Sequence, residues 1–427
     1  MKIHIISLGC PKNTVDSEIL CGLLNKEKFI FVNKPEYADI VILSTCSFID
    51  SARKEAKRYI NNLIKLKKEK KIKVVVVGCL PELEKEILVK KYPEVDAFFG
   101  ISEYKKIPKV LKNFNKKIFD VSEQKNFLPT HNLPRLVSTK NYAYLKIADG
   151  CNNKCSYCLI PQIRGPYRER TIEDIIEEAK ILVSLGKKEL ILVSQDTTLY
   201  GTKIYKEQLL HKLLSKLSKI KDLLWIRILY THPAHLYDKL IKEIYSNEKV
   251  CNYIDLPIQH TSDKILSLMN RKITRKNLMK LIEKLKKHNI VLRTTVIVGF
   301  PYETEEDFKL LYNDIKNIEF DWLGVFKFSK QKNTVAAQFK KEIPKEIKEE
   351  RFKEIMLLQQ KITYKKNKQR ISKIYTVLLD ETNCGHTEFQ CPEIDGKTYL
   401  TTTNNSEVIS AKIKKLLTPY DLLAEVL

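Results

Sequence analysis

Over its first hundred residues the chain repeats one pattern: a short, unbroken apolar run, then a longer stretch in which apolar positions recur among charges. The runs are KIHIISLG, ADIVILST and KVVVVG, and the last is followed by the amphipathic LPELEKEILVKKY. Unbroken runs of this length suit strands buried on both faces, and the periodic stretches suit helices, so the pattern predicts βα repetition around a parallel sheet. Cys10, Cys46 and Cys79 each follow one of the three runs closely. In a doubly wound sheet all three would lie at the carboxyl edge of the strands, where such sheets bind ligands.

The pattern then lapses. Residues 118–138, with NFLPTHNLPRLVS, carry two prolines and little periodicity, and read as a linker. Beyond them strand-like runs alternate with helical stretches six times: NYAYLKIAD, ELILVSQD, LWIRILY, NYIDLPIQ, VLRTTVIVGF and WLGVFKFS. Six such units suggest a partial or open (βα)6 barrel with its functional groups at the carboxyl ends of its strands. From about Arg370 the texture changes to short runs separated by turn residues, as in a small all-β barrel. The expected fold class is therefore α/β. An amino-terminal parallel-sheet domain (1–117) and a linker (118–138) precede a central barrel domain (139–367) and a small carboxyl-terminal β-barrel (368–427).

Composition narrows the function classes. The 427 residues hold 76 Lys plus Arg against 52 Asp plus Glu, a net charge of +24. That excess suits nucleic acid or a ribosomal surface as partner, and equally a lysine-rich proteome bias. The start is too short for a signal peptide and no stretch of about 18 apolar residues suggests a membrane span, so a cytoplasmic protein without a membrane partner is expected. Ten cysteines in such a chain argue for metal binding or catalysis rather than a disulfide framework. Residues 371–427 hold five lysines and eight acids, so the small barrel is acidic within a basic chain.

The densest chemistry lies in DGCNNKCSYCLIP, where Cys151, Cys155 and Cys158 form CxxxCxxC directly after a predicted strand. Three thiolates on one loop can wrap one face of a 4Fe-4S cluster and leave one iron open to a small molecule. A zinc site or incidental buried thiols are the alternatives, although no second CxxC or histidine pair lies nearby to complete four zinc ligands. This segment resembles the radical S-adenosylmethionine enzymes. In that family the open iron chelates the methionine moiety of S-adenosylmethionine, and reductive cleavage gives a 5'-deoxyadenosyl radical. The resemblance thus implies that no side chain is needed as a catalytic acid or base. Tyr157 is expected near the adenine or as a core aromatic. Gly299, in VIVGFP, is expected either to let backbone approach S-adenosylmethionine or to make an ordinary tight turn. His232, Gln259 and His260 fall near strand ends, as ligand contacts or as structural groups.

Cys10, Cys46 and Cys79 read as the ligands of a second, auxiliary 4Fe-4S cluster, against the alternative of small buried hydrophobes. Cys21, Cys251, Cys384 and Cys391 share no such pattern and read as structural. Two three-cysteine sets on this domain order resemble the methylthiotransferases, whose carboxyl-terminal module is a TRAM domain. The resemblance spans essentially the whole chain. It implies insertion of a methylthio group into an unactivated C–H bond, with one S-adenosylmethionine as methyl donor and another as radical source.

The family divides by substrate. SLGCPKNTVDSE, LVSQDTTLYG, RILYTHP, DLPIQH and PEIDG are similar to the branch that modifies an aspartate β-carbon of the small-subunit ribosomal protein S-twelve, whereas the tRNA branch carries GCQMN at the first cysteine. The acidic small barrel agrees with a basic protein substrate. In VFKFSKQKNTVAA the acidic pair usual for that branch is replaced by Lys330, Gln331 and Lys332. A tRNA adenosine methylthiotransferase and a non-catalytic RNA-binding iron–sulfur protein are the competing readings. An electron donor and a sulfur source are implied as further partners. Pro11 and Lys12 either contact substrate or shape the cluster loop.

Overall fold

The computed structural model describes residues 1–123 and 125–427. Its first body is a six-stranded parallel sheet of β1 (Lys2–Ser7), β2 (Ile30–Phe31), β3 (Ile40–Thr45), β4 (Lys73–Gly78), β5 (Ala97–Phe99) and β6 (Ile118–Asp120), in the order β2-β1-β3-β4-β5-β6. Every residue of β3 is buried, as its unbroken apolar run requires. Ile40, Ile42, Val75 and Val77 share a core with Val15, Ile19 and Leu20 of the helix Pro11–Lys26. Val41, Leu43, Val74 and Val76 pack on the opposite face with Ala56, Ile60 and Leu63 of the helix Asp50–Glu69. The strand order reverses between β1 and β3, which opens a crevice at their carboxyl ends.

Ile118–Asp120 departs from the sequence expectation. The segment was placed in the linker, but it pairs with β5 as the sheet's edge strand. Three residues carry too little periodicity to announce a strand, and the pairing partner decides the matter. Gln124, within the same expected linker, lies outside the described residues. The rest of the segment is anchored by contacts: Phe127 packs edge-on to Tyr104 at 5.7 Å, and Arg135 bridges Glu18 at 2.6 Å and Glu178 at 2.8 Å.

The second body has six parallel strands, β7 (Tyr142–Lys146), β10 (Glu189–Val193), β11 (Trp225–Ile228), β12 (Tyr253–Asp255), β13 (Val291–Val298) and β14 (Trp322–Lys327), with a small antiparallel hairpin of β8 (Ala148–Asp149) and β9 (Arg168–Glu169). They form two three-stranded sheets, β11-β10-β7 and β12-β13-β14, joined near a parallel bridge between Ile226 and Val250. β7 and β14 are outer strands, so the barrel is open. The helix Pro11–Lys26 lies against β7 and brings the first body beside this open edge.

A long helix, Lys345–Lys368, packs on β14 and leads to the third body. β15 (Ile374–Glu381), β16 (Cys384–His386), β17 (Thr398–Leu400), β18 (Val408–Leu416) and β19 (Leu422–Val426) close into a barrel in the order β15-β16-β17-β19-β18. It docks against the amino-terminal half of the central strands. His386 meets Glu189 at 2.5 Å, Trp322 Nε1 donates to the Phe389 carbonyl at 2.7 Å, and the Tyr253 hydroxyl donates to Asp395 at 2.8 Å. The cysteine loops lie at the opposite, carboxyl end.

This docking revises the charge argument. Asp395 faces Arg293, Asp380 pairs with His386, Glu393 accepts from Tyr144, and Glu407 lies 3.5 Å from Lys188. Three of the eight acids of residues 371–427 thus reach the central body directly, while Asp380 stays within the small barrel on His386.

Candidate functional site

The first cysteine set is built by three strand ends in register. Pairing of Ser7 with Ser44 and of Thr45 with Gly78 brings the ends of β1, β3 and β4 level. Cys10 then caps the helix Pro11–Lys26, Cys46 directly follows β3, and Cys79 opens a short helix after β4. Gly9, at φ +112°, lets the first loop close on the second: a Cβ there would come within 2.8 Å of Cys46 Cβ. Asn13 ties the three loops together. Its amide donates to the Leu8 carbonyl at 3.2 Å and the Thr45 carbonyl at 3.0 Å, while its Oδ1 accepts from Cys79 Sγ at 3.5 Å.

The thiols are not equivalent. Burial opposes ionisation of Cys10, but Lys12, Arg164 and backbone N–H groups outweigh it and lower its pKa below the usual thiol range. Burial pushes Cys79 up to about 12 despite Arg164, and burial together with Cys10 raises Cys46. Three neighbouring soft donors with two cations beside them fit an anionic thiolate-bound iron–sulfur group.

The second set occupies the loop that leaves β8. Cys151 donates its N–H to the Gly165 carbonyl at 3.1 Å, a closure that Gly150 permits at φ +76°. Backbone N–H groups of Asn153 and Ile160 donate to the sulfurs of Cys151 and Cys158, each at 3.4 Å, and Arg271 donates to Cys155 Sγ at 3.6 Å. Burial lifts Cys151 to about 11 and Cys158 to about 12. Donors already aimed at all three sulfurs suit thiolates that carry charge when metal is bound. Ser156 pins the loop from both sides, accepting from Ala336 at 2.8 Å and donating to Met269 at 3.1 Å.

The two sets are joined by a buried ionic bridge that sequence reasoning missed. Arg164, at the end of the helix Ile160–Arg164 that follows the second loop, donates through Nη2 to Cys79 Sγ at 3.4 Å and through Nη1 to Asp16 at 2.6 Å and Asp149 at 3.1 Å. Lys146 completes the bridge, pairing with Asp16 and lying 3.2 Å from Asp149. Burial opposes the Asp149 carboxylate, yet Lys146 and Arg164 hold it well below the usual range. DG before the first cysteine and the buried lysine of β7 were in view. Asp16, which both Lys146 and Arg164 hold, lies more than a hundred residues away, and no local pattern links it to them.

Other expected residues are placed as follows. Tyr157 is half-buried and stands edge-on to Phe300 at 6.3 Å, beside Met269, Phe328 and Ala336. Gly299 has φ +69°, and the atom nearest its missing Cβ is Cγ of Lys348 at 2.2 Å, so its close approach is to this chain's own lysine. Its N–H is taken by Glu303. His260 is fully buried with both ring nitrogens engaged, by Ser262 N–H at 2.9 Å and Glu303 at 3.3 Å, which is a structural role. His232 stacks on His235 at 4.6 Å, and His235 pairs with Asp196 at 2.7 Å. Asp196 also accepts from Asn153 of the second cysteine loop at 2.8 Å, so this trio borders the site. Burial, with Arg271 nearby, lowers His232 to about 2 and keeps it neutral. Cys251, Cys384 and Cys391 are buried away from both sets, and Cys21 is half-buried in the helix Pro11–Lys26. Lys330 and Lys332 point outward on the loop after β14, whereas Gln331 folds back on Ser329 at 3.0 Å.

Comparisons with known proteins agree with this layout. Residues 145–315 match the model of the Radical SAM superfamily, and residues 2–100 match that of the Uncharacterized protein family UPF0004. The chain is 44% identical to ribosomal protein uS12 methylthiotransferase RimO of Acetivibrio thermocellus, with 100% of this chain and 98% of that protein aligned. It is 43% identical to the protein of the same name from Clostridium novyi, again over 100% of this chain and 98% of the relative. Among solved structures, the radical S-adenosylmethionine methyltransferase TsrM from Kitasatospora setae shares the fold, with TM-score 0.56 and 11% identity over 76% of this chain and 72% of that one. With identity at this level sustained from end to end, the chain belongs to the RimO family of methylthiotransferases.

Proposed function

We propose that this protein methylthiolates the β-carbon of an aspartate in uS12, the small-subunit ribosomal protein S-twelve, using two 4Fe-4S clusters and S-adenosylmethionine. The observation that carries the reading is the contact of Arg164 with Cys79 at 3.4 Å, because it sets the two cysteine loops side by side across one buried bridge. Cys151, Cys155 and Cys158 are assigned to the cluster that binds S-adenosylmethionine, and Cys10, Cys46 and Cys79 to the auxiliary cluster. Tyr157 is assigned to the adenine side of that cofactor, while the backbone at Gly299 is a weaker candidate because Lys348 occupies its open face. When bound, these groups supply a 5'-deoxyadenosyl radical for hydrogen abstraction and a sulfur carrier for transfer.

The chain's own part is to bind, orient and exclude water. Arg164 and Lys146, paired with Asp16 and Asp149, lock the two loops at a fixed separation. The apolar wall of Phe300, Met269, Phe328 and Ala336 beside Tyr157 keeps water from a reactive carbon-centred species. We assign the three bodies to residues 1–120, with Ile118–Asp120 joining the amino-terminal sheet, 139–367 and 368–427, with the last a TRAM domain plugging the far end of the central barrel. Among the described residues no helix is long and apolar enough to cross a membrane, and with the proposed substrate we assign the protein to the cytoplasm, with an external reductant and sulfur source.

The test is mass spectrometry of uS12 and of tRNA from cells with and without the gene. Loss of a methylthio group from the uS12 aspartate in the deletion supports the reading. An unmodified aspartate in both strains refutes it, and loss of methylthiolated tRNA adenosine would install the tRNA activity instead.

A further inference from the structure

Lys12 is a buried cation in an unfavourable place. Only 8% of it is exposed, and it stands in the first turn of the helix Pro11–Lys26, where the helix dipole disfavours positive charge. Among the described residues no carboxylate lies within 4.0 Å of its ammonium, although Lys146 and Arg164 nearby each hold two. Its hydrogen bond is a long one, 3.4 Å to the Ser194 carbonyl, and its ammonium sits 3.3 Å from the centre of the Tyr230 ring. Of its neighbours Cys10 offers negative charge as a thiolate, but an ammonium taken from water without a carboxylate partner is costly, and a carbonyl plus an aromatic face compensates only in part.

The position is deliberate. Ser194 follows β10 and Tyr230 lies just beyond β11, so Lys12 reaches from the first cysteine loop across to the carboxyl end of the central barrel. Tyr230 is held beneath it in the left-handed region, at φ +59°, by its N–H bond to Asp255 at 2.9 Å. Lys12 thus stands where the first cysteine loop meets the strand ends of the central barrel. Resting on the uS12 reading above, we propose that Lys12 is the substrate-binding residue that receives the side-chain carboxylate of the aspartate to be modified, and so selects a protein carboxylate over a neutral side chain. One ammonium that pairs with none of the described carboxylates matches one carboxylate. The pairing fixes the adjacent β-carbon at a set distance from the cation.

The test is a double-mutant cycle read by binding rather than turnover. Anaerobically reconstituted holoenzyme with S-adenosylmethionine bound, wild type and Lys12→Met, is titrated with uS12 carrying aspartate or asparagine at the modified position. Wild-type enzyme is expected to bind the aspartate protein roughly ten- to a hundred-fold more tightly than the asparagine protein, the range for a charge-assisted hydrogen bond. Lys12→Met should bind both equally, at the level of the weaker wild-type pair. Equal binding of the two proteins by wild-type enzyme overturns the assignment, as does a Lys12→Met enzyme that keeps the preference. Lys12→Gln is measured alongside, and loss of iron from both variants overturns it in favour of charge compensation at the auxiliary cluster. Wild-type enzyme that binds neither form of uS12 removes the substrate reading itself, a result distinct from a lost aspartate preference.

Discussion

Arg164 shows what a single residue does here and why sequence could not announce it. In QIRGP it looks like one of many cations, yet it is 3% exposed and closes a bridge between loops 85 residues apart, at Cys79 and at its own position. Replacing it by Met leaves Asp16 and Asp149 to share Lys146 in a fully buried site. Loss of one partner from a buried ionic group is expected to cost about 3–5 kcal/mol, read as a lower denaturant midpoint of the apoprotein. The cysteines were the opposite case. CxxxCxxC is legible as one loop because its cysteines are local, and the placement of the first set is legible because three thiols occupy equivalent strand ends. Gly9 tests that second placement. Gly9→Ala puts a Cβ 2.8 Å from Cys46 Cβ at a backbone angle side chains rarely adopt, so the first set should lose iron while the second retains it. Iron content and electron paramagnetic resonance of the reconstituted variant check this.

At the scale of elements, the unbroken apolar runs became buried strands because a parallel sheet covered by helices has no wet face. Strands with two to three residues, such as Ile118–Asp120, were beyond reach because their pairing partners define them. The docking of β16 was likewise invisible, since His386 and Glu189 are 197 residues apart. Burial would lower the pKa of His386, but Glu189 and Asp380 raise it to about 9. The Glu189 carboxylate also holds Arg227 at 2.6 Å, and the rings of Tyr142 and Trp225 enclose the imidazole. A raised histidine pKa adds stability that is fully present below the ordinary value of about 6.5 and is lost as pH rises through about 9. Amide exchange in β15 and β16 should therefore quicken across that window beyond the intrinsic pH effect. His386→Gln should remove the excess, and an unchanged profile in that variant would assign the loss elsewhere.

Across the whole molecule the charge of +24 was a weak guide. Three acids of the small barrel are spent on docking, whereas the informative charges are the few buried between the bodies. The order of the three bodies was legible from hydrophobic period alone. Their juxtaposition was not, because it is set by Arg164, Lys146 and the helix Pro11–Lys26 against β7. That juxtaposition carries the account, in which one cysteine set is proposed for radical generation and the other for sulfur, with Arg164 between their loops. The most direct measurement follows both products at once, 5'-deoxyadenosine and methylthiolated uS12, in wild-type, Cys155→Ala and Cys46→Ala enzymes reconstituted under anaerobic conditions. Cys155→Ala should form neither product, and Cys46→Ala should still form 5'-deoxyadenosine while methylthiolation stops. Normal methylthiolation by Cys46→Ala, or loss of 5'-deoxyadenosine from it with the second cluster intact, would contradict the division of labour between the two sets.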